Sequence, residues 1–140
     1  NIPEANRRIG SISSHDISLP LSTISTFIDE ARVEISKLGN FRINCFGHLG
    51  DGNLHFNIFP NKGKKREQFN HIRPEIKTKI HDLVHLHGGS VSAEHGIGRL
   101  KINDLVKYSD PIKLKINKSI KAVMDPRGIL NPGVIFSSNP

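Results

Sequence analysis

The order of predicted strands and helices indicates an α+β fold, in which a ferredoxin-like antiparallel sheet has its helices packed on one face. Two segments, residues 41–48 and 53–59, alternate apolar and polar residues as half-buried strands do. Two longer segments, residues 21–38 and 67–87, space their apolar residues three or four apart as amphipathic helices do. With a short strand at each end, the order along the chain is strand, helix, strand, strand, helix, strand.

Residues with strong backbone preferences mark the ends of these elements. The first strand lies in residues 11–20 and is stopped by Pro20, and the first helix ends at Gly39, a residue type that favours helix C-termini. The second helix contains Pro74, which either kinks it or marks a later start.

The C-terminal third begins with a short strand and a glycine-rich loop in residues 88–99. Asp110 and Pro111 are an N-cap residue followed by an N1 proline, so a last helix is predicted from there to Met124. The tail, residues 125–136, is turn-rich and extended.

Length and composition predict a single globular domain over residues 1–140, with 36% hydrophobic and 24% charged residues. The single cysteine, Cys45, excludes an internal disulfide and fits a reducing compartment. Its place in the alternating strand makes it a small buried hydrophobe. No apolar run approaches the ~20 residues of a membrane helix.

The chain carries 20 Lys and Arg against 13 Asp and Glu, a formal charge of +7. Nucleic acid, an anionic membrane, an acidic partner or an anionic substrate would each suit this charge. The two basic clusters, residues 62–67 and 113–121, are interpreted as solvated loop and helix surface. One Tyr and no Trp leave few stacking aromatics, so no nucleic-acid partner is expected.

The segment GHLGDGNLHFN (residues 47–57) predicts a β-hairpin with two histidines. A two-residue type I′ turn at Asp51-Gly52 would place His48 directly opposite His55, with Cβ atoms ~5 Å apart. A longer loop makes the register less certain but keeps the histidines near each other. Two such imidazoles suit a divalent metal if a third ligand is present; the alternative is a polar sheet surface with incidental histidines.

The segment SAEHGIGR offers that third ligand in Glu94, which would complete a site of two histidines and one carboxylate. His95, beside the metal and not bound to it, would act as a general base near neutral pH. The alternative is an ordinary exposed loop. His81 and His85 also lie one helical turn apart, but surface histidines are expected there.

Three motifs together resemble one family. GHLGDGNLHFN (47–57), SAEHGIGRLK (92–101) and DPRGILNPGVIF (125–136) are similar to the C-terminal domain of FAD-linked oxidases, and HDISLPLS (15–22) resembles that family's first strand. The group includes D-lactate dehydrogenase, the glycolate oxidase D subunit and D-2-hydroxyglutarate dehydrogenase.

The resemblance implies a metal-assisted oxidation of a small anionic 2-hydroxy acid, with hydride transfer to FAD. It also implies that the chain is a fragment of a longer flavoprotein whose upstream domain holds most of the FAD, so that the fragment alone is inactive. The implied residue roles are His48, His55 and Glu94 as metal ligands, usually of zinc, His95 as catalytic base, Asn57 as substrate contact and Asn131 as cofactor contact.

The same resemblance implies an electron-acceptor protein or quinone as a further partner. The expected location is the cytoplasm, or the inner-membrane surface through the parent protein. Two positions depart from the family: Ser14 replaces a common lysine, and Pro3 aligns with a substrate-binding threonine of some members. The alternative function is a metal-binding regulatory or interaction module without catalysis.

Overall fold

A computed structural model describes residues 2–137, which divide between Glu94 and His95 into two compact units. The side chain of Pro3 lies outside the described part. The three strands are β1 (Ser13–Ser18), β2 (Arg42–Phe46) and β3 (Asn53–Phe59), and the five α-helices of the described chain are α1 (Ile2–Ile9), α2 (Ile24–Ser36), α3 (Arg73–Leu86), α4 (Ile102–Tyr108) and α5 (Pro111–Met124).

The sheet of the first unit is antiparallel, with strand order β1-β3-β2. The predicted α+β class is therefore confirmed. The predicted fourth strand is a single antiparallel bridge, in which Ser90 exchanges backbone hydrogen bonds with Ser18 of β1. Pairing stops there because the N–H of Ser92 donates to the hydroxyl of Ser90, while the N–H groups of Ala93 and Glu94 donate to the carbonyl and the carboxylate of Asp16.

One face of this sheet forms the core with α2 and α3. Phe27 of α2 meets Phe56 of β3 edge-on, with ring centroids 5.7 Å apart. Burying a large apolar side chain stabilises a fold by ~1.5–3 kcal/mol, so this face dominates the stability of the unit. The fully or almost fully buried side chains here are Ile17, Phe27, Ala31, Ile35, Phe56, Ile58, Ile76, Ile80 and Val84.

The predicted helices form close to their predicted limits. In α5 the carboxylate of Asp110 accepts from the backbone N–H groups of Ile112 and Lys113, which confirms the predicted cap. The helix with Pro74 begins at Arg73, so the later of its two predicted starts is correct. Helices α1 and α4 were not predicted, since their segments have only 8 and 7 residues.

The predicted hairpin register is wrong. His55 pairs with Phe46, and the connection is a longer loop over residues 47–52 that contains a 3₁₀ turn at Leu49–Asp51. A type I′ turn needs positive φ at both central residues, whereas here Gly52 takes φ 72° and Asp51 keeps a negative φ. His48 therefore lies just beyond the end of β2, and its backbone forms hydrogen bonds with Asn53.

The expectation that His81 is a surface residue is also wrong. It is buried, and its Nε2 lies 3.3 Å from Nδ1 of His15 on β1. His81 lies next to the apolar stripe of α3, and the sheet covers it. The helical periodicity of the sequence alone did not indicate this burial. His85 is exposed as expected, and Cys45 is half-buried, with burial raising the pKa of its thiol.

The basic cluster at residues 113–121 lies on the solvent-facing surface of α5, as interpreted from sequence, with Lys113, Lys115 and Lys118 exposed. Among residues 2–137, no helix has the length and apolar character needed to cross a membrane.

Replacing Gly52 by alanine should destabilise the first unit. A Cβ there would lie 2.2 Å from the carbonyl oxygen of Leu19, and the φ of 72° alone costs a non-glycine residue ~1–3 kcal/mol. Thermal unfolding should show a clearly lower midpoint for Gly52→Ala. The matched control Gly50→Ala, whose Cβ meets nothing within 4 Å, should stay within ~0.5 kcal/mol of the parent. Equal midpoints for the two variants would contradict this.

Acid should release the tail of the second unit. Lys121 Nζ, 2.6 Å from Asp125 Oδ2, holds the pKa of Asp125 below its ordinary value, helped by the N–H groups of Ile129 and Leu130. A lowered pKa means that this stabilisation is complete above the ordinary aspartate pKa of ~3.9 and is lost as pH falls through the lowered value.

Amide exchange at Ile129 and Leu130 measures this release, and the variant Asp125→Asn should show faster exchange already at pH 7. Asp110→Asn is the matched control, because asparagine caps a helix about as well as aspartate. Unchanged exchange in Asp125→Asn would show that the carboxylate does not hold the tail.

Candidate functional site

The second face of the sheet is polar, because every strand alternates its side chains between the two faces. Strand pairing places the residues of this face in rows across β1, β3 and β2. One row is Asp16, His55 and Phe46, and the neighbouring row is Ser14, Asn57 and Asn44.

His55 lies at the centre of this face. Its ring packs against Phe46, with centroids 5.2 Å apart, and its side chain is 21% exposed. The two ring nitrogens face different carboxylates: Nδ1 is 3.7 Å from Asp16 Oδ1, and Nε2 is 3.8 Å from Glu94 Oε1. The aromatic neighbour limits how far the ring turns, so each nitrogen has a defined environment.

Glu94 joins the hairpin to the glycine-rich loop. The same oxygen, Oε1, lies 2.5 Å from Nδ1 of His48 in a hydrogen bond. This bond raises the pKa of His48 above its ordinary value, because the carboxylate stabilises the protonated imidazole. The pairing is therefore strongest at pH values below that raised pKa and weakens as pH rises through it. The three side chains that the sequence analysis proposed as a set, His48, His55 and Glu94, do lie together.

Asp16 is the buried carboxylate beneath this group. Oδ1 accepts from Asn53 Nδ2 at 2.8 Å, and Oδ2 accepts from the backbone N–H of Glu94 at 2.9 Å. Asn53 in turn accepts from the backbone N–H of His48 through its side-chain oxygen. The sequence analysis missed Asp16 and Asn53. Their signal was available, since the alternation of each strand puts them on the face that carries His55.

Asn57 is buried on the same face, and its amide donates to the carbonyl of His55 at 3.2 Å. In the strand pairing it lies between Ser14, which is exposed, and Asn44. The side-chain oxygen of Asn44 is buried and has no hydrogen-bond partner among residues 2–137. The row therefore contains an acceptor that the described residues leave unsatisfied.

The donor chemistry of His48, His55 and Glu94 suits a divalent metal, with two imidazole nitrogens and one carboxylate oxygen. The arrangement is not that of a formed centre: within residues 2–137, no three His, Cys, Asp or Glu side chains are placed as a ligand set. Instead, His48 and Glu94 bond directly to each other. The His48 side chain is 69% exposed, so it has room to turn.

Two of the proposed site residues belong to the second unit. His95 follows Glu94 directly in the chain and is exposed. Asn131 is exposed in a turn, with φ 46° and its carbonyl accepting from Val134. Their proposed roles as base and cofactor contact remain predictions.

Comparison with known proteins identifies the family. Residues 3–135 match the model of the family described as FAD linked oxidases, C-terminal domain. The chain is 36% identical over 131 residues to the mitochondrial D-2-hydroxyglutarate dehydrogenase of Arabidopsis thaliana, covering 94% of this chain and 22% of that protein. It is 36% identical over 126 residues to the D-2-hydroxyglutarate dehydrogenase of Stutzerimonas stutzeri, covering 89% and 27%.

A third relative is an uncharacterized FAD-linked oxidoreductase of Mycobacterium tuberculosis, 33% identical over 132 residues, which cover 94% of this chain and 27% of that protein. The chain thus spans roughly a quarter of the length of these relatives. The family match extends over nearly all of the described residues and includes both units. The chain therefore belongs to the family of FAD linked oxidases, C-terminal domain.

Proposed function

We propose that this chain is the substrate-binding part of an FAD-dependent dehydrogenase that oxidises a 2-hydroxy acid. The observation that carries the proposal is that His48, His55 and Glu94 lie together on the polar face of the sheet. In the chain, Glu94 comes at least 39 residues after either histidine. D-2-hydroxyglutarate is the first substrate to test, because two of the relatives above carry its name; D-lactate and glycolate are the others.

A divalent metal, with zinc as first choice, would be held by His48, His55 and Glu94. Such an ion, when bound, lowers the pKa of a coordinated hydroxyl group and orients it. The residues of the chain then have separate tasks. Asn57 would hold the substrate carboxylate, and His95 would take the proton of the hydroxyl group.

FAD supplies the acceptor of the hydride in this chemistry, and we assign its main binding site to an FAD-binding domain of the same parent chain. Asn131 would contribute a contact to it from the second unit. The formal charge of +7 suits a small anionic substrate. We propose further an electron-acceptor protein or quinone as partner, and a location in the cytoplasm or at the inner-membrane surface.

The metal assignment predicts one bound zinc per chain. After dialysis against zinc, elemental analysis of the 140-residue chain should give nearly stoichiometric metal, and His55→Ala and Glu94→Ala should each lower the affinity at least tenfold, since each removes one of three ligands. His85→Ala, which removes an exposed histidine of α3, is the control and should bind as the parent does. A parent chain that takes up no zinc would contradict the assignment.

The catalytic assignment predicts that His95 controls turnover. In a flavoprotein containing this chain, D-2-hydroxyglutarate should bleach the flavin under anaerobic conditions, and His95→Ala should slow that step by ~10²–10⁴-fold, as loss of a general base does. His71→Ala, at another exposed histidine, should leave the rate unchanged. Full turnover in His95→Ala, with zinc still bound, would favour the metal-binding module without catalysis.

A further inference from the structure

Asp16 of β1 lies beside His55 and Glu94 of the candidate metal site and is linked to His48 through Asn53. Its carboxylate is 3.7 Å from the ring of His55, accepts from the backbone of Glu94, and binds Asn53, which accepts from the backbone of His48. The side chain is only 6% exposed. A carboxylate so far from water is costly unless it is held by several donors, so its place in the structure is well defined.

The number of donors around Asp16 calls for a carboxylate and not an amide. Each of its two oxygens already accepts one hydrogen bond, from Asn53 and from Glu94, and Oδ1 also faces Nδ1 of His55. An asparagine side chain has one accepting oxygen and two N–H donors. An asparagine at position 16 would therefore leave at least one of its own N–H donors facing another N–H donor.

The position of Asp16 also selects a state of His55. A neutral imidazole carries its proton on one nitrogen only, and each nitrogen of His55 has a carboxylate at a similar distance. The Asp16 carboxylate is buried, whereas that of Glu94 is 39% exposed and already bonded to His48, so Asp16 has the stronger effect and favours the proton on Nδ1. Nε2 then has its lone pair on the side of Glu94, whose Oε1 is 3.8 Å away. A lone pair and a carboxylate repel each other, and a cation bound by both would remove that repulsion.

We propose that Asp16 is the positioning residue of this site: it holds the Nδ1–H tautomer of His55 so that Nε2 is the ligating atom, and it anchors the Glu94 loop against the sheet. The metal part of this inference rests on the function proposed above. The tautomer and the loop anchor are properties of the chain without metal, and they are tested separately.

The first experiment measures the tautomer in the metal-free chain. Nitrogen-15 NMR of the uniformly labelled 140-residue protein at pH 8.5, where an ordinary imidazole is neutral, distinguishes the two tautomers of an assigned histidine. His55 should carry its proton on Nδ1, whereas the exposed His71 should favour Nε2–H as the free amino acid does. A parent chain with His55 in the Nε2–H form would overturn the proposal without any variant.

The second experiment compares Asp16→Asn with Asp29→Asn, the same chemical change at an exposed position of α2. Asp16→Asn should move the proton of His55 toward Nε2. It should also weaken Co²⁺ binding by ~10–100-fold, because a metal-bound histidine loses its hydrogen-bonding partner. The visible absorption of bound Co²⁺ measures this affinity. Asp29→Asn should change neither. A folded Asp16→Asn chain with the parental tautomer and affinity would overturn the proposal.

The two proposals fail in different ways. If the parent chain shows the Nδ1–H tautomer but binds neither zinc nor Co²⁺, the metal assignment fails and the positioning role of Asp16 stands. If the parent binds metal with His55 in the Nε2–H form, the metal site stands and Asp16 is not its positioning residue. If Asp16→Asn does not fold, the tautomer of the parent chain decides.

Discussion

The buried carboxylate of Asp16 is the interaction on which the polar face depends. It lies on β1 and binds Asn53 of β3 and the backbone of Glu94, which comes 78 residues later in the chain. A buried charge is tolerated only where donors surround it, so the strand, the hairpin and the glycine-rich loop must keep fixed positions around this group. Through this group β1 is joined both to the hairpin and to the backbone of Glu94.

The opposite face of the same sheet makes this arrangement rigid. Phe56 and Ile58 of β3 are fully buried on the core face, with Phe56 against Phe27 of α2, while His55 and Asn57, which alternate with them, lie on the polar face. Since the side-chain period of a strand is two, a shift of β3 by one residue would expose the core residues and bury the histidine. The packing of the core thus sets the register of the site.

The sequence predicted the α+β class, the helices of residues 24–36 and 73–86, and the cap of α5 at Asp110, because these depend on local periodicity and capping. It also predicted that His48, His55 and Glu94 lie close together. The hairpin register was wrong, because Asp51-Gly52 favours a two-residue turn locally while the chain forms a longer loop, with Gly52 directly against the backbone of Leu19. Contacts with a distant strand decided the turn.

The chemistry of the candidate site was therefore determined by the sequence alone: two imidazoles and a carboxylate, on segments that resemble one family. Only the tertiary structure decided which nitrogen of His55 faces which carboxylate, and that His48 bonds directly to Glu94. It also decided that Asp16 lies buried beneath them. The physical reason is that residue types and spacing limit what a side chain can bind, whereas its direction and its partners are set by the packing of strands and loops far apart in the chain.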